Sequence, residues 1–558
     1  MYLCIFSSIS QNINVFFKYV RLFLGIESYD IETPVNANVL EEYIHGYSDA
    51  EYIVNGFKSG FSLGIRDDYS LKYGTVKPRP SPMTLLKKLD DEVEKGRIIG
   101  PFTTKPMKDL FVSPLYVIPK PNSDKYRMIF NLSHPMQGSV NDNIMENCRS
   151  VHYCSVQDVG QCLLAKYREG NAWLAKVDLA DAYRIVPIQR SDWKFLGICI
   201  EDQYYIDRML PMGASSSCQI FNRISDSLRW MFYKQTPVRA ELFNYLDDFL
   251  FIADSEQNCE QALRCFENLC EKLGVPIAPH KTVRPVKSLV FLGIGIHAER
   301  LSMYIPQDKK QKMKDKLKKF LAVKAPQVKM WQSLAGSLNH IAQVIVCGKI
   351  YLSSIYESLS GILSQRQDKR RKISAEVRSD LNVWFMLLDC IPEKAFKIFS
   401  PSESTCMDIS TDASSSVGYG CVLGNNWFAG RWPPGKKCNI AVLELYPIYM
   451  VLQLLRGSIM DTAVNVYTDN HALVSVLNKL YCRDPALRQL MRPITEICIE
   501  QNLLIVAKHI SGEDNIGPDL LSRGMIHQFL EQFPHANRSP LSIPHTLEPH
   551  SNNLIRWN

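Results

Sequence analysis

Long apolar segments and clustered cysteines are both missing from this chain. No run of 18 or more apolar residues occurs among its 558 residues, so an ordinary transmembrane helix is not expected. The 16 cysteines form neither a CxxC pair nor a Cys/His ladder with zinc-ligand spacing. We interpret them as reduced thiols of an intracellular protein that is cytoplasmic or nuclear and not secreted. No basic leader precedes the apolar first 25 residues, and polar residues interrupt them, so no signal peptide is predicted.

A strong charge of one sign is also missing. Lys and Arg total 64 and Asp and Glu total 57, and the net charge of +7 is too small for this length to imply a polyanionic partner. Hydrophobic residues make up 46% and charged residues 22%, as in folded globular proteins. We find no internal repeat and no low-complexity tract. A chain of this length should hold three or four folding units.

Composition and hydrophobic periodicity predict an α/β (α+β) protein with several regions. We predict six regions along the chain. In order they are an uncertain N-terminal extension (1–34), a helical region (35–82), a mixed α/β core (83–300), a basic helical region (301–400), a compact α/β domain (401–526) and a proline-containing, disordered tail (527–558). The eight lysines from Lys309 to Lys324 fit either a solvated helix face or a surface that binds nucleic-acid phosphates. Only the neighbouring chemistry can decide between these two.

Acidic residues lie inside two β-prone runs of the mixed core. Asp247 and Asp248 stand in Tyr245-Leu-Asp-Asp-Phe-Leu-Phe, where unpaired buried charges would be costly. A hairpin turn is one explanation, because Asp tolerates turn conformations. A metal site explains more, since Asp178 ends a second such run and the two strand ends can bring carboxylates to a pair of Mg²⁺ ions.

Together these runs resemble the palm of reverse transcriptases. The resemblance implies that Asp178 and Asp247 bind two Mg²⁺ ions, for which Mn²⁺ can substitute, and that Asp248 supports them. It places Tyr183 at an aromatic gate, where a rigid ring would clash with a ribose 2′-hydroxyl and favour dNTPs. The alternative for Tyr183 is a core aromatic residue.

Further matches follow in the family's order. The run from Ser113 to Arg127 resembles the fingers hairpin, which implies that Lys120 and Arg127 contact the incoming triphosphate. Met212 and Gly213 match the template and nucleotide motif, with Met212 in place of a usual glutamine. Lys281 matches a lysine thought to protonate the leaving pyrophosphate, although a solvated lysine explains it equally well. By this resemblance, residues 83–300 are fingers and palm and residues 301–400 are thumb and connection.

Four acidic residues recur in separate motifs near the C-terminal end. They are Asp412, Glu444, Asp469 and Asp519. Glu444 lies in the apolar run Val442-Leu-Glu-Leu-Tyr-Pro, which predicts a helix that turns a glutamate inward and therefore needs a charged partner for it. A second metal pair would supply that partner.

This segment resembles ribonuclease H. The resemblance implies that the four carboxylates hold two metals that activate water against an RNA phosphodiester, and it maps a loop histidine to His509. A lone histidine is more often structural, and Asp408 is interpreted as a surface or strand-edge residue. The compact domain at residues 401–526 is accordingly predicted to be ribonuclease H-like.

The resemblance covers roughly residues 100–525. It implies an RNA-directed DNA polymerase with ribonuclease H, acting on RNA template, DNA primer, RNA–DNA hybrid and dNTPs, without a membrane. The doublet that starts at Asn55, Leu210-Pro-Met-Gly and Glu444-Leu-Tyr-Pro look most like retrotransposons with a tyrosine recombinase, often called DIRS-like; a gypsy-type or pararetrovirus-like source is the alternative. No protease, zinc-knuckle or integrase signature occurs, so other retroelement proteins are expected as partners. The rival interpretation is a catalytically silent nucleic-acid-binding remnant, and the sequence gives no oligomeric state.

Overall fold

The computed structural model describes residues 33–72, 83–119, 126–167, 171–360, 369–390, 396–397, 407–551, 554–555 and 557. Lys120 and most of the proposed N-terminal extension lie outside these ranges. No helix in the described ranges is both long and apolar enough to cross a membrane.

Helices occur throughout the described ranges. In chain order they are α1 (Ala37–Tyr43), α2 (Ala50–Ser59), α3 (Met83–Glu94), α4 (Val156–Lys166), α5 (Ser217–Gln235), α6 (Glu256–Leu273), α7 (Gln307–Leu321), α8 (Val328–Ile341), α9 (Ser353–Ser360), α10 (Ala375–Cys390), α11 (Ile440–Leu454), α12 (His471–Lys479), α13 (Pro485–Gln501), α14 (Ile516–Ser522) and α15 (Ile526–Gln532).

Strands alternate with these helices, so the predicted α/β fold class is confirmed. The strands are β1 (Ile98–Phe102), β2 (Leu115–Pro119), β3 (Tyr126–Phe130), β4 (Trp173–Asp178), β5 (Gly197–Ile200), β6 (Gln203–Asp207), β7 (Ala240–Tyr245), β8 (Asp248–Ala253), β9 (Val283–Val286), β10 (Ser288–Phe291), β11 (Ile294–His297), β12 (Ser302–Tyr304), β13 (Phe396–Lys397), β14 (Met407–Ala413), β15 (Gly418–Leu423), β16 (Asn426–Arg431), β17 (Thr462–Thr468) and β18 (Leu503–His509).

The chain divides into two compact units. One consists of Met1–Cys154 with Ala175–Pro285, and the other of Ser155–Leu174 with Val286–Asn558. The second unit takes in the predicted thumb, the predicted ribonuclease H-like domain and the tail together, whereas the sequence predicted a boundary near residue 400.

The first unit is built on the sheet β7-β8-β4-β9, with β1-β6-β5 and the hairpin β2-β3 beside it. Helix α6 packs over β8, and the residues at its two ends explain where the helix begins and stops. The side chain of Ser255 accepts the backbone N–H of Asn258 at the start of α6, and Gly274 adopts the left-handed conformation just past its end. Phe266, on the buried face of α6, packs edge-on against Phe251 of β8 with ring centroids 5.4 Å apart.

A buried ion cluster ties α3 to β6 within the same unit. The Arg184 guanidinium contacts Glu92 at 2.9 Å and Asp207 at 2.8 Å. Burying one charge alone would be costly, so this arginine needs both carboxylates. The cluster was not predicted, because its members are far apart along the chain.

The second unit contains the five-stranded sheet β16-β15-β14-β17-β18 and the smaller sheet β10-β11-β12-β13. Strand β14 pairs antiparallel with β15 and parallel with β17, which in turn pairs parallel with β18. Helix α11 is buried along most of its length, which explains its continuous apolar sequence.

Helix α13 was not predicted. Pro493 lies inside it, and a proline normally argues against a helix interior. Its beginning follows ordinary rules, because Asp484 accepts the N–H groups of Ala486 and Leu487 and Pro485 occupies the first turn.

The prediction of a disordered tail over residues 527–558 was wrong for the described part of that segment. Phe529 of α15 is fully buried against Trp427 and Leu521. Further along, Asn537 donates its N–H to the Asn425 carbonyl at 2.8 Å, and Leu541 donates to Trp427 at 2.7 Å. The prolines that suggested disorder are compatible with an extended segment packed on β16, the edge strand of the sheet.

Candidate functional site

A tight hairpin carries the first pair of acidic residues. Tyr245 of β7 is paired with Asp248 of β8, which leaves Leu246 and Asp247 as the turn. Leu246 has φ of +52°, a left-handed conformation that a leucine rarely adopts and that is typical of strained functional turns. The Ser225 hydroxyl of α5 donates to the Leu246 carbonyl at 2.7 Å and stabilises this turn.

The backbone brings Asp178 to the same turn. The N–H of Leu179 donates to the carbonyl of Asp247 at 2.9 Å, and the N–H of Ala278 donates to the carbonyl of Asp178 at 2.8 Å. The end of β4 is therefore held between the hairpin and the segment that leads to Lys281. Of the three predicted metal-binding carboxylates of this first site, Asp178 is the most deeply buried.

Burial and mutual repulsion disfavour the charged forms of these acids. Burial raises the pKa of the Asp247 carboxyl, and the nearby Asp178 and Asp248 raise it further. Burial likewise raises the pKa of the Asp178 carboxyl, against the opposing effect of Lys281. A group of carboxylates in this state is stabilised by a bound cation, so the donor set fits Mg²⁺.

Two lysines lie against these carboxylates. The Lys281 ammonium donates to Asp178 Oδ1 at 2.6 Å, and Lys176 Nζ lies 2.7 Å from Asp248 Oδ1. The alternative of a simple solvated lysine does not describe Lys281, although its side chain is half exposed. Lys176 was not predicted, yet the alternation of a strand points to it, since residues 176 and 178 of β4 lie on one face.

Tyr183 lies in an aromatic cluster beside the hairpin. Its hydroxyl donates to the Cys218 sulfur at 3.4 Å, and its ring packs on Phe221 with centroids 5.1 Å apart. Burial, followed by the Cys218 contact, raises the pKa of the Tyr183 hydroxyl, and Asp247 contributes to the same shift. The tyrosine is thus held near the Asp247 carboxylate and is only partly buried, and its role as a gate stays a prediction.

The segment with Met212 and Gly213 lies against strand β3. Gly213 has φ of +150°, and a Cβ atom there would lie 1.8 Å from the carbonyl oxygen of Phe130. Phe130 also donates its N–H to the Met212 carbonyl at 3.0 Å. Glycine is therefore required for this close backbone approach.

The predicted triphosphate contacts are described only in part. Arg127 lies on β3, where it pairs with Ile118 of β2 and is exposed. An exposed guanidinium on a two-stranded hairpin is available to bind a phosphate. Lys120 lies outside the described residues, so its predicted role stays a prediction.

The second acidic site is in the other unit, around the centre of the five-stranded sheet. Asp412 is the second-last residue of β14, and Asp469 directly follows β17, the parallel neighbour of β14. Carboxyl ends of adjacent parallel strands lie at the same sheet edge, which explains how residues so far apart in sequence meet. Glu444 lies on α11 and Asp519 on α14, both of which pack against β14.

Electrostatics indicate that the four acids converge. Burial raises the pKa of the Asp412 carboxyl, and Asp469 and Asp519 raise it further. Burial also raises the pKa of Glu444 to about 7, with added effects of Asp469 and Asp412. One buried carboxylate oxygen of Glu444, Oε2, has no hydrogen-bond partner. A buried oxygen of this kind, within a cluster of like charges, fits a divalent cation.

Hydrogen bonds from neighbouring residues orient the acids. The Ser522 hydroxyl donates to Asp412 Oδ2 at 2.5 Å, and the Arg523 guanidinium contacts Asp519 at 2.8 Å. Both donors lie within four residues of Asp519, a spacing that places them near it on α14. They were not predicted, although the motif that starts at Gly517 contains both.

His509 lies beside Asp469 of the second acidic site. Its Nε2 atom lies 3.2 Å from the carbonyl oxygen of Asp469, and its ring stacks on His471 with centroids 3.6 Å apart. The side chain is exposed. Asp408, by contrast, is an exposed residue whose carboxylate accepts the Asn465 amide at 2.7 Å, as the interpretation of a surface residue requires.

A lysine-lined groove of about 570 Å³ runs along α7 and α8. Lys309, Lys312 and Lys316 line it, together with the hydroxyls of Ser333 and Ser337. Lys316 donates to Ser337 at 2.6 Å and to Ser333 at 2.8 Å, so one side of the groove is ordered by hydrogen bonds. Cations and hydroxyls in one groove are the groups that bind phosphates, which favours the nucleic-acid interpretation of these lysines.

The segment that carries the first acidic site matches a known protein family. Residues 118–296 match the family described as reverse transcriptase (RNA-dependent DNA polymerase). This segment, which contains Asp178, Asp247 and Lys281, is a reverse transcriptase domain of the type found in retroelement and viral polyproteins.

Two similar relatives are viral proteins. Protein P of hepatitis B virus genotype B1 is 28% identical over 154 residues, which are 27% of this chain and 18% of the relative. The Gag-Pro-Pol polyprotein of bovine leukemia virus is 26% identical over 200 residues, which are 33% of this chain and 13% of the relative. The chain thus spans less than a fifth of the length of either relative.

The solved structures that the chain matches include complexes of a foamy viral protease-reverse transcriptase. Its complex with RNA/DNA hybrid has a TM-score of 0.43 at 14% identity and covers 85% of this chain and 63% of that chain. The form named dRH, in complex with ds DNA, has a TM-score of 0.44 at 15% identity and covers 87% and 84%.

Proposed function

We propose that the chain is an RNA-directed DNA polymerase that adds dNTPs to a DNA primer on an RNA template. The observation that carries this proposal is the meeting of Asp178 and Asp247 at a strained hairpin within the reverse transcriptase domain. Their raised pKa values and their backbone contacts describe a preformed acidic site rather than two surface carboxylates.

The proposal assigns roles to the charged residues of this site. Asp178 and Asp247 hold Mg²⁺, or Mn²⁺ in its place, and Lys176 keeps Asp248 oriented beside them. When bound, the metal ions lower the pKa of the attacking hydroxyl and neutralise charge on the phosphates. Lys281, whose Nζ lies 2.6 Å from Asp178 Oδ1, would give a proton to the leaving pyrophosphate, and Arg127 would bind the triphosphate.

We also propose that the second acidic site cleaves RNA in RNA–DNA hybrids. The support is the convergence of Asp412, Glu444, Asp469 and Asp519 on one edge of a sheet, with an unpaired buried oxygen on Glu444. In this proposal the carboxylates hold a metal pair and His509, exposed at the rim, moves protons or assists the release of product. The lysine-lined groove on α7 and α8 binds the phosphates of the hybrid.

The biological setting of the proposal is the replication of a retrotransposon of the DIRS-like type inside the cell. The support is the sequence resemblance alone, through the motifs at Asn55, Leu210 and Glu444. Further retroelement proteins would supply the protease, integrase or recombinase functions for which the chain has no signature.

Primer extension tests the polymerase proposal directly. Purified protein with Mg²⁺, dNTPs and a DNA primer on an RNA template is compared with Asp247→Asn and with Asp254→Asn, an exposed acid beyond the end of β8. We expect extension by the wild type and Asp254→Asn, and a loss of about 100-fold or more in Asp247→Asn, because a metal ligand contributes several kcal/mol. Equal extension by all three would contradict the assignment. Tight, salt-sensitive hybrid binding without extension by any of them would favour the catalytically silent remnant.

A further inference from the structure

The last described segment of the chain carries a cluster of metal-binding side chains that is separate from both acidic sites. His545, Glu548 and His550 offer two imidazole nitrogens and a carboxylate oxygen that all lie within 4.8 Å of one another. Glu548 Oε2 is 3.0 Å from His550 Nε2 and 3.9 Å from His545 Nε2. No other group of three such side chains in the described residues is this compact.

Local backbone structure explains why the three side chains meet. A 3₁₀ turn spans His545–Leu547, and the N–H of Glu548 donates to the His545 carbonyl at 3.1 Å. The N–H of Ser551 then donates to the Glu548 carbonyl at 3.0 Å. Two consecutive turns therefore fold the segment back on itself, so that positions 545, 548 and 550 face one point.

The segment is anchored to the ribonuclease H-like sheet and its central helix. The Tyr446 hydroxyl of α11 donates to the Leu547 carbonyl at 2.9 Å, and Tyr446 is fully buried. Leu547 lies between two members of the cluster, and Tyr446 lies two residues from Glu444 of the second acidic site. The cluster thus sits on a turn that is fixed at its centre.

We propose that His545, Glu548 and His550 bind a Zn²⁺ ion. Two imidazoles and one carboxylate are a ligand set that zinc uses, with water at the remaining position. Ligands about 2.1 Å from a tetrahedral zinc ion are about 3.4 Å from each other, so the observed separations need only small side-chain movements. Mg²⁺ prefers all-oxygen ligands and does not fit this site.

Ser551 supports the orientation of one ligand. Its hydroxyl lies 3.1 Å from Nδ1 and 3.3 Å from Nε2 of His545. A hydrogen bond between this hydroxyl and the imidazole holds the ring beside Glu548, and a bond to Nδ1 would leave Nε2 for the metal. The bound ion would then hold the turn closed around the Leu547 carbonyl, and the tail would remain on α11.

Zinc binding by the full chain tests this proposal. Equilibrium dialysis against Zn²⁺, with excess Mg²⁺ present to occupy the acidic sites, compares the wild type with His545→Ala/His550→Ala and with His535→Ala. His535 is an exposed tail histidine outside the cluster, and it serves as the matched control. We expect the double variant to bind one Zn²⁺ fewer per chain than the other two proteins. All three proteins have the same cysteines, so any zinc bound by cysteine contributes equally to each.

Thermal unfolding supplies a second readout that does not depend on catalysis. At a Zn²⁺ concentration about ten times the dissociation constant, the wild type and His535→Ala should gain about 3–6 °C in Tm, and the double variant should gain none. The substituted side chains are exposed, so circular dichroism should be unchanged without metal. Equal zinc stoichiometry in all three proteins, with equal Tm shifts, would overturn the site and leave a simple ion pair between Glu548 and His550.

Discussion

At the scale of single residues, Tyr183 shows how a contact can define a specificity element. Its ring is held by Phe221 and its hydroxyl by Cys218, so the side chain has little freedom to move away from a nucleotide sugar. In the proposed polymerase, such a ring close to Asp247 would exclude a 2′-hydroxyl through steric contact alone. The hydroxyl of the tyrosine is directed to sulfur and is not needed for that contact.

We therefore expect Tyr183→Val to admit rNTPs. Selectivity for dNTPs over rNTPs should fall by about 10-fold or more, since removal of one contact from a pocket changes discrimination by this order. Tyr183→Phe keeps the ring and should retain selectivity. Single-nucleotide incorporation with matched dNTP and rNTP measures both variants. Unchanged selectivity in Tyr183→Val would remove the gate role.

Glu444 is a second residue with a measurable individual effect. Its folded-state pKa is raised to about 7. Without metal, the folded state therefore binds more protons than the unfolded state between the ordinary glutamate pKa and about pH 7. Stability falls as the pH rises through this window. Glu444→Gln removes the buried charge that causes this loss.

In EDTA at pH 8, Glu444→Gln should raise the free energy of unfolding by about 2–3 kcal/mol, and at pH 4 it should have little effect. Calorimetry of the thermal transition checks this, with the exposed Glu513→Gln as control. Excess Mg²⁺ at pH 8 should stabilise the wild type more than the variant, because only the wild type has the full carboxylate set. An equal stability difference at both pH values would contradict the buried charge.

At the scale of elements, the sequence correctly predicted helices and strands that depend on local residue patterns. The strand that ends at Asp178 and the helix that carries Glu444 follow from the residue patterns of their own segments. The sequence did not predict elements that depend on contacts with residues far away along the chain. Helix α13 contains Pro493, and Arg488 and Arg492 on this helix pair with Glu376 of α10, a contact that no local signal encodes.

The candidate sites follow the same rule. The acidic residues could be found because their types and spacing are unusual in apolar runs. Their supporting donors, Lys176 and Ser522, are ordinary residues whose roles depend on strand pairing and helix packing. The tail was misjudged for a similar reason, because proline-containing sequence does not reveal that Trp427 and Tyr446 offer it hydrogen-bond partners.

At the scale of the whole molecule, the two acidic sites belong to different compact units and share no side chain. The first is complete within Met1–Cys154 and Ala175–Pro285, and the second within the other unit. Mutations in separate structural environments are expected to act independently. The two proposed activities should therefore be separable by single substitutions.

Asp469→Asn provides the sharpest test of this independence. Because it removes charge from a metal-binding set without changing side-chain size, cleavage of RNA in a labelled RNA–DNA hybrid should fall by about 100-fold or more. Primer extension should remain at the wild-type level, and Asp247→Asn should show the reverse pattern. The control is Asp408→Asn, which changes an exposed acid of the same sheet whose carboxylate accepts a hydrogen bond from the Asn465 amide. Continued hybrid cleavage by Asp469→Asn would refute the second metal site. A loss of both activities in this variant would contradict the independence of the two units.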